Sequence, residues 1–182
     1  MKNEVIARNY AEALLAIALP ENAVERYGEL LDALGGVVDT DPVVKGVLMS
    51  PRVTKQAKQD VMARALRGLA PDSFVRFLQA VVRRGRQDGF STMAEAYHRL
   101  ADRHFHRVHA SVVTARTPDA ALEKAIAERL TKVMGKTVLP NFRTDPALIG
   151  GVVVRVGDRV FDGSIRRRIQ LLRHRMLSGS GA

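Results

Sequence analysis

The chain has 182 residues, is 46% hydrophobic and 26% charged, and carries a formal net charge of +10 with no cysteine. That length accommodates one or two small folded domains, and the absence of thiols excludes a disulfide framework and a thiolate metal site. No apolar run approaches the roughly 18–20 residues that span a bilayer. Glu4, Arg8 and Glu12 break up the N-terminal stretch, unlike a signal peptide.

Up to residue 107 the spacing is helical throughout. In the first helix Ile6, Tyr10, Ala13 and Ile17 share one face, and Ala7, Ala11, Leu14, Leu15 and Ala18 form a neighbouring arc. Only Arg8, Asn9, Glu12 and Ala16 remain for solvent. Two readings follow: a central helix buried by its own bundle, or a helix with one face for the bundle and one for a partner helix. A second helix carries Val24, Tyr27, Leu31 and Leu34 and is expected to stop near Gly35-Gly36. Asp41-Pro42 opens a short third, with proline in the first turn, and Ser50-Pro51 ends it. A fourth runs from about Thr54 to Arg67 and stops at Gly68. Ser73 is placed to cap the fifth, where Phe74, Phe77, Leu78, Val81 and Val82 follow the i, i+3, i+4, i+7, i+8 rule, and Gly85 sits where a C-terminal glycine belongs. Thr92 and Glu95 read as a capping box for the sixth, with Met93, Tyr97, Leu100 and His104 inward.

Near Val108 the period changes. Arg107–Ala115 is β-rich and alternating. Thr117-Pro118 starts a helix with Leu122, Ile126, Leu130 and Val133 on one side, ended by Gly135. Lys136–Arg143 reads as a strand that Pro140 confines to an edge or bulge. Gly157-Asp158 is the two-residue turn of a hairpin. A last helix begins near Ser164, with Ile165, Ile169, Leu172 and Met176 inward. The fold class is therefore mixed: a six-helix bundle over 1–107, a small α+β domain (β-α-β-β-β-α) over 108–177, and a flexible tail of linker composition over 178–182.

The charge divides unevenly. Residues 1–107 hold 16 Lys and Arg against 13 Asp and Glu, whereas residues 108–182 hold 13 against 6. Such a basic region fits an acidic partner, either nucleic acid or an acidic protein helix. In the last helix Arg166 and Arg173 flank one edge of the apolar stripe, and Arg168 and Arg175 flank the other. That arrangement suits an amphipathic acidic helix better than a DNA-reading face, and nine aromatics at mostly core-like positions weaken a base-stacking model.

Catalytic motifs are hinted at and fail. Gly135-Lys136-Thr137 follows a helix instead of opening one, and position 130 is leucine, so it is read as a helix end and not a phosphate loop. His104, His106 and His109 straddle a helix end and a strand start without a carboxylate at ligand spacing. Gly150-Gly151 leads into a strand, not a helix. There is no GxSxG and no HExxH.

The segment Asp145–Leu172, DPALIGGVVVRVGDRVFDGSIRRRIQLL, closely resembles the signature of the delta subunit family of bacterial F-type ATP synthase, which is similar to the mitochondrial oligomycin-sensitivity-conferring protein. Asp-Pro, Ile-Gly-Gly, a hairpin around Gly-Asp, and Asp-Gly-Ser before a helix all stand in order. ARNYAEALLAIA, LMSPRVTKQAKQDVM and FVRFLQAVVRRGR fall where related segments are expected. Two positions depart: Pro140 interrupts a usually regular strand, and Arg84 replaces what is often a small polar residue. The resemblance implies a non-catalytic, cofactor-free stator subunit at the cytoplasmic face of the bacterial inner membrane, peripheral and not inserted. Its helical domain would clasp the N-terminal helices of alpha subunits on the catalytic head, in a groove lined or supported by Tyr10, Ala11, Leu14, Phe77, Leu78 and Val81. Its C-terminal domain would meet the C-terminal helices of the stalk b subunits. Gly150, Gly151, Asp162, Gly163 and Ser164 would shape that domain. The rival reading is a basic nucleic-acid-binding protein using the C-terminal domain.

Overall fold

A computed structural model of the chain describes residues 2–178, with side chains from residue 4 to residue 177. Most of the expected flexible tail, residues 179–182, lies outside the described residues. The chain divides into two compact units between Asp102 and Arg103.

The first unit is built from α1 (Lys2–Ala18), α2 (Val24–Thr40), α3 (Pro42–Met49), α4 (Lys55–Ala65), α5 (Asp72–Arg83) and most of α6 (Phe90–His104). Local signals set several of these ends. Asp41 caps α3 by accepting from the N–H groups of Val43 at 2.8 Å and Val44 at 3.2 Å, a contact worth about 1 kcal/mol. Thr54 does the same for α4 through Ala57 N–H. The core is aromatic and aliphatic: Tyr27, Tyr97, Phe74, Phe90, Leu14, Leu31, Leu78 and Val81 are all closed to solvent. The buried Tyr97 hydroxyl donates to Val24 O at 2.9 Å, so its polar end is satisfied.

Four local expectations fail here. α2 does not stop at Gly35-Gly36 but runs through to Thr40. Gly35 serves close packing instead, since a Cβ there would lie 3.0 Å from Ser91 Oγ and 3.3 Å from Ser91 Cα. Ser73 does not cap α5; its hydroxyl meets the Tyr27 hydroxyl and donates to Glu21. The Thr92–Glu95 box does not form because α6 grows directly from a 3₁₀ turn over Gln87–Gly89. His104 is exposed, while Met93, Ala94, Tyr97 and Ala101 carry the inner face of α6.

The second unit contains β1 (Arg107–Thr114), α7 (Ala120–Met134), β2 (Thr137–Thr144), β3 (Val152–Val156), β4 (Arg159–Asp162) and α8 (Ile165–Ser178). The sheet order is β2-β1-β3-β4. β2 is parallel to β1, with Val108 opposite Val138, and β3 and β4 add antiparallel. Pro140 therefore lies on an edge strand, where a missing N–H costs least. Alternation on β1 buries Ala110, Val112 and Thr114 on one face. Val138 and Val154 join that core, and Ile126, Leu130 and Met134 of α7 pack against it. The α7 stripe thus ends on Met134, whereas Leu122 and Val133 point away and are exposed. Asp119 caps α7 at Leu122 N, and Gly135 closes it in the left-handed region. The Gly-Lys-Thr sequence is a helix end.

Candidate functional site

In the first unit the two arcs of α1 part company. Ala7, Ala11, Leu14 and Ala18 are buried against the bundle, and the three alanines allow close helix approach. The arc of Ile6, Tyr10, Ala13 and Ile17 stays half-buried or exposed. A depression of about 570 Å³ opens along it, lined by Ile6, Asn9, Tyr10 and Ala13 of α1 and by Arg84 and Arg86. Tyr10 meets Phe77 of α5 edge-on, ring centroids 6.3 Å apart, and Phe77 leans on Phe74. Of the six residues expected to line or support a groove, only Tyr10 reaches its wall. Phe77 lies directly behind it. Ala11, Leu14, Leu78 and Val81 are interior residues that hold α1 and α5 in place.

Arg86 and Asn9 are groove residues that sequence reasoning did not select. The signal for Arg86 was present in the Arg84-Gly85-Arg86 run. Gly85 adopts φ +68, its N–H donates to Val82 O at 2.9 Å, and Arg86 N–H donates to Val81 O at 3.1 Å. These two bonds form a Schellman end to α5, which turns the chain back across the helix and delivers both arginines to the rim.

At the corner joining α1, α2 and α5, Glu21 accepts from the Tyr27 hydroxyl and, at 3.0 Å, from Ser73 Oγ. These bonds, that of Tyr27 first, hold the Glu21 carboxyl below its ordinary range. Burial, with the Glu21 bond second, pushes the Tyr27 phenol above its own.

In the second unit the signature residues converge on one corner. Gly150 O accepts from Ile165 N–H at 2.9 Å, and Val152 O accepts from Gly163 N–H at 2.9 Å. Gly151 has φ +82, and a Cβ on it would stand 2.4 Å from Gly163 O, so only glycine fits. Asp162 Oδ1 accepts from Ser164 N–H at 3.0 Å, and Ser164 Oγ caps α8 by accepting from Arg167 N–H at 3.2 Å. Hydrogen bonds from the Ser164 side chain and backbone, followed by the charges of Arg167 and Arg166, keep the Asp162 carboxyl below its usual range. The corner staples the start of α8 to the start of β3. Just before it, Ile149 holds φ +66 and is 66% exposed, a rare backbone for a β-branched residue.

Beyond that corner α8 is uncovered. Every described side chain from Ile165 to Leu177 is exposed, so the expected inward stripe of Ile165, Ile169, Leu172 and Met176 faces outward. An apolar patch runs along Ile169, Leu172, Met176 and Leu177. Five arginines and no acid stand on this helix. None of the described residues of its own unit buries it, because the small core is already closed by α7.

His104, His106 and His109 lie on the last turn of α6, in a tight turn at φ +50, and on β1 respectively. Among the described residues no group of three or more His, Asp or Glu is placed to hold a metal ion.

The family described as "ATP synthase delta (OSCP) subunit" matches residues 6–176. An ATP synthase subunit delta of Gemmatimonas aurantiaca is 44% identical over 176 residues, covering 97% of this chain and 95% of that protein. One from Syntrophobacter fumaroxidans is 33% identical, with 93% of each covered. Among solved structures, a chain of the Toxoplasma gondii mitochondrial ATP synthase hexamer superposes with a TM-score of 0.58 at 21% identity, covering 94% of this chain and 97% of that one. That last likeness bears on the fold.

Proposed function

The chain belongs to the ATP synthase delta (OSCP) subunit family, and on that premise we propose that it works as a two-ended protein clamp. As a member of that family it is a component of the peripheral stalk of F-type ATP synthase. The nucleic-acid reading of its basic half finds no support in the proteins it resembles.

In this reading the helical domain, residues 1–107, holds the N-terminal helices of alpha subunits on the catalytic head. The domain over 108–177 holds the C-terminal helices of the b subunits. The head is thereby kept from turning with the rotor while protons drive ATP synthesis. The subunit performs no chemistry and needs no cofactor. It sits peripherally at the cytoplasmic face of the bacterial inner membrane; no helix among the described residues is long and apolar enough to cross a membrane.

The observation that carries the reading is the free arc of α1. Ile6, Tyr10, Ala13 and Ile17 repeat at helical spacing and remain half-buried or exposed, and the first three border a depression of about 570 Å³. An amphipathic helix laid in such a groove buries apolar surface on both partners. Nanomolar attachment, about −12 kcal/mol, is within reach of that mode. In the second unit, α8 supplies an uncovered apolar stripe edged with arginines, suited to an acidic stalk helix.

The test is calorimetric titration of the whole chain with a peptide from the N-terminal segment of the alpha subunit encoded in the same genome. Tight one-to-one binding is expected. Ala13→Asp should abolish it without unfolding the protein, since Ala13 is exposed. A folded chain that ignores the peptide would refute the groove.

A further inference from the structure

Two arginines line the α1 groove without an ion-pair partner among the described residues. α5 runs antiparallel to α1: Phe77 lies against Tyr10, whereas Arg86, later in the chain, shares a small pocket with Ile6 and Ala7. Arg86 therefore marks the end of the groove nearest the N-terminus of α1, and Arg84, two residues before it, lines the same groove. Both are exposed, and neither guanidinium has an ion pair or side-chain hydrogen bond among the described residues. Asp88 borders the same small pocket as Arg86 but forms no ion pair with it.

The apolar arc alone does not orient an occupant. Ile6, Tyr10, Ala13 and Ile17 offer a stripe that an amphipathic helix can lie along in either direction. An occupant also crowds water away from the two guanidinium groups, and a cation left unpaired under a docked helix is costly. A carboxylate at the matching place removes that cost with a charge-assisted, two-pronged hydrogen bond.

We propose that the helix held in this groove presents an acidic side chain to Arg84 and Arg86, and that this pairing fixes the direction in which the helix lies. The occupant is thus an acidic amphipathic helix, apolar along the face that meets Tyr10 and carboxylate-bearing at the end that meets the arginines. This rests on the groove reading above and adds the recognition chemistry to it.

The probe is the same alpha-subunit peptide, titrated into the full chain at low and at high salt, beside peptides in which each Asp or Glu in turn becomes Asn or Gln. One amide peptide should bind the natural chain about tenfold more weakly than its parent. An Arg84→Glu/Arg86→Glu chain should lose about as much with the parent peptide and be indifferent to that amide change. A lysine at the same peptide position should restore binding to the double variant. The loss should shrink in high salt. If the parent and all amide peptides bind the natural chain within about twofold of one another, the acidic pairing is wrong while the groove stands. If the parent peptide does not bind a folded chain at all, the groove reading fails and the pairing with it.

Discussion

The two units leave apolar surface accessible in opposite ways. The first has a large core of aromatic and aliphatic side chains and offers a recess between elements that are already locked. The second has a small core, centred on Ala110, Val112, Val138 and Val154, and offers a whole helix that its core does not cover. A bundle with surplus apolar face can be a rigid receptor. A unit with little core instead fixes its exposed helix by backbone contacts at one corner, and glycine is what lets two backbones come that close.

That contrast can be broken in four places. The largest effect is expected at the corner. Gly151→Ala puts a Cβ against Gly163 O at an unfavourable φ and should destabilise residues 103–182 by roughly 4 kcal/mol. Hydrogen exchange should show β3 and the start of α8 loosening while α1 and α5 keep their protection. Next, Leu14→Ala removes a fully buried side chain from the bundle and should cost about 3 kcal/mol, read by urea denaturation as a loss confined to the first unit. A third substitution separates binding from stability in the second unit. Leu172→Asp, at a position 57% exposed, should change stability by no more than about 0.5 kcal/mol. It should nonetheless abolish pull-down of a peptide from the C-terminal end of the b subunit. Leu14→Ala should leave that pull-down intact.

The smallest effect concerns pH. Glu21 has a folded pKa below its unfolded value, so its contribution is present above the ordinary carboxylate range and disappears as pH falls through the lowered folded value. Glu21→Gln should therefore flatten the acid side of the stability profile of the bundle and leave the neutral side nearly level. An unchanged acid limb in thermal melts would remove Glu21 from that account.

Legibility in the sequence followed the range of the interaction. The α5 stripe, Asp41 before Pro42, the left-handed Gly85 and Gly135, and the Gly157-Asp158 turn were readable because each is settled within a few residues. Pro140 narrowed its strand to an edge or a bulge, because a proline has no N–H to give the ladder, and the sheet order settled it as an edge. Ser73 and Thr92 looked like caps. Ser73 fails because its hydroxyl found a partner distant in sequence, and Thr92 because α6 had already begun. Gly35 looked like a stop and is a packing site for Ser91.

The sequence by itself determined the two hydrophobic periods, the boundaries of most elements, the basic second half and the Gly-Gly with Asp-Gly-Ser signature. All of these are local patterns or sums over residues. Only the tertiary structure decided which arc of α1 the bundle buries. Both arcs are apolar at helical spacing, and the choice depends on where α5 lies. It likewise decided that the stripe of α8 faces outward, because periodicity marks a side that seeks cover and is silent on whether the chain has core enough to supply it.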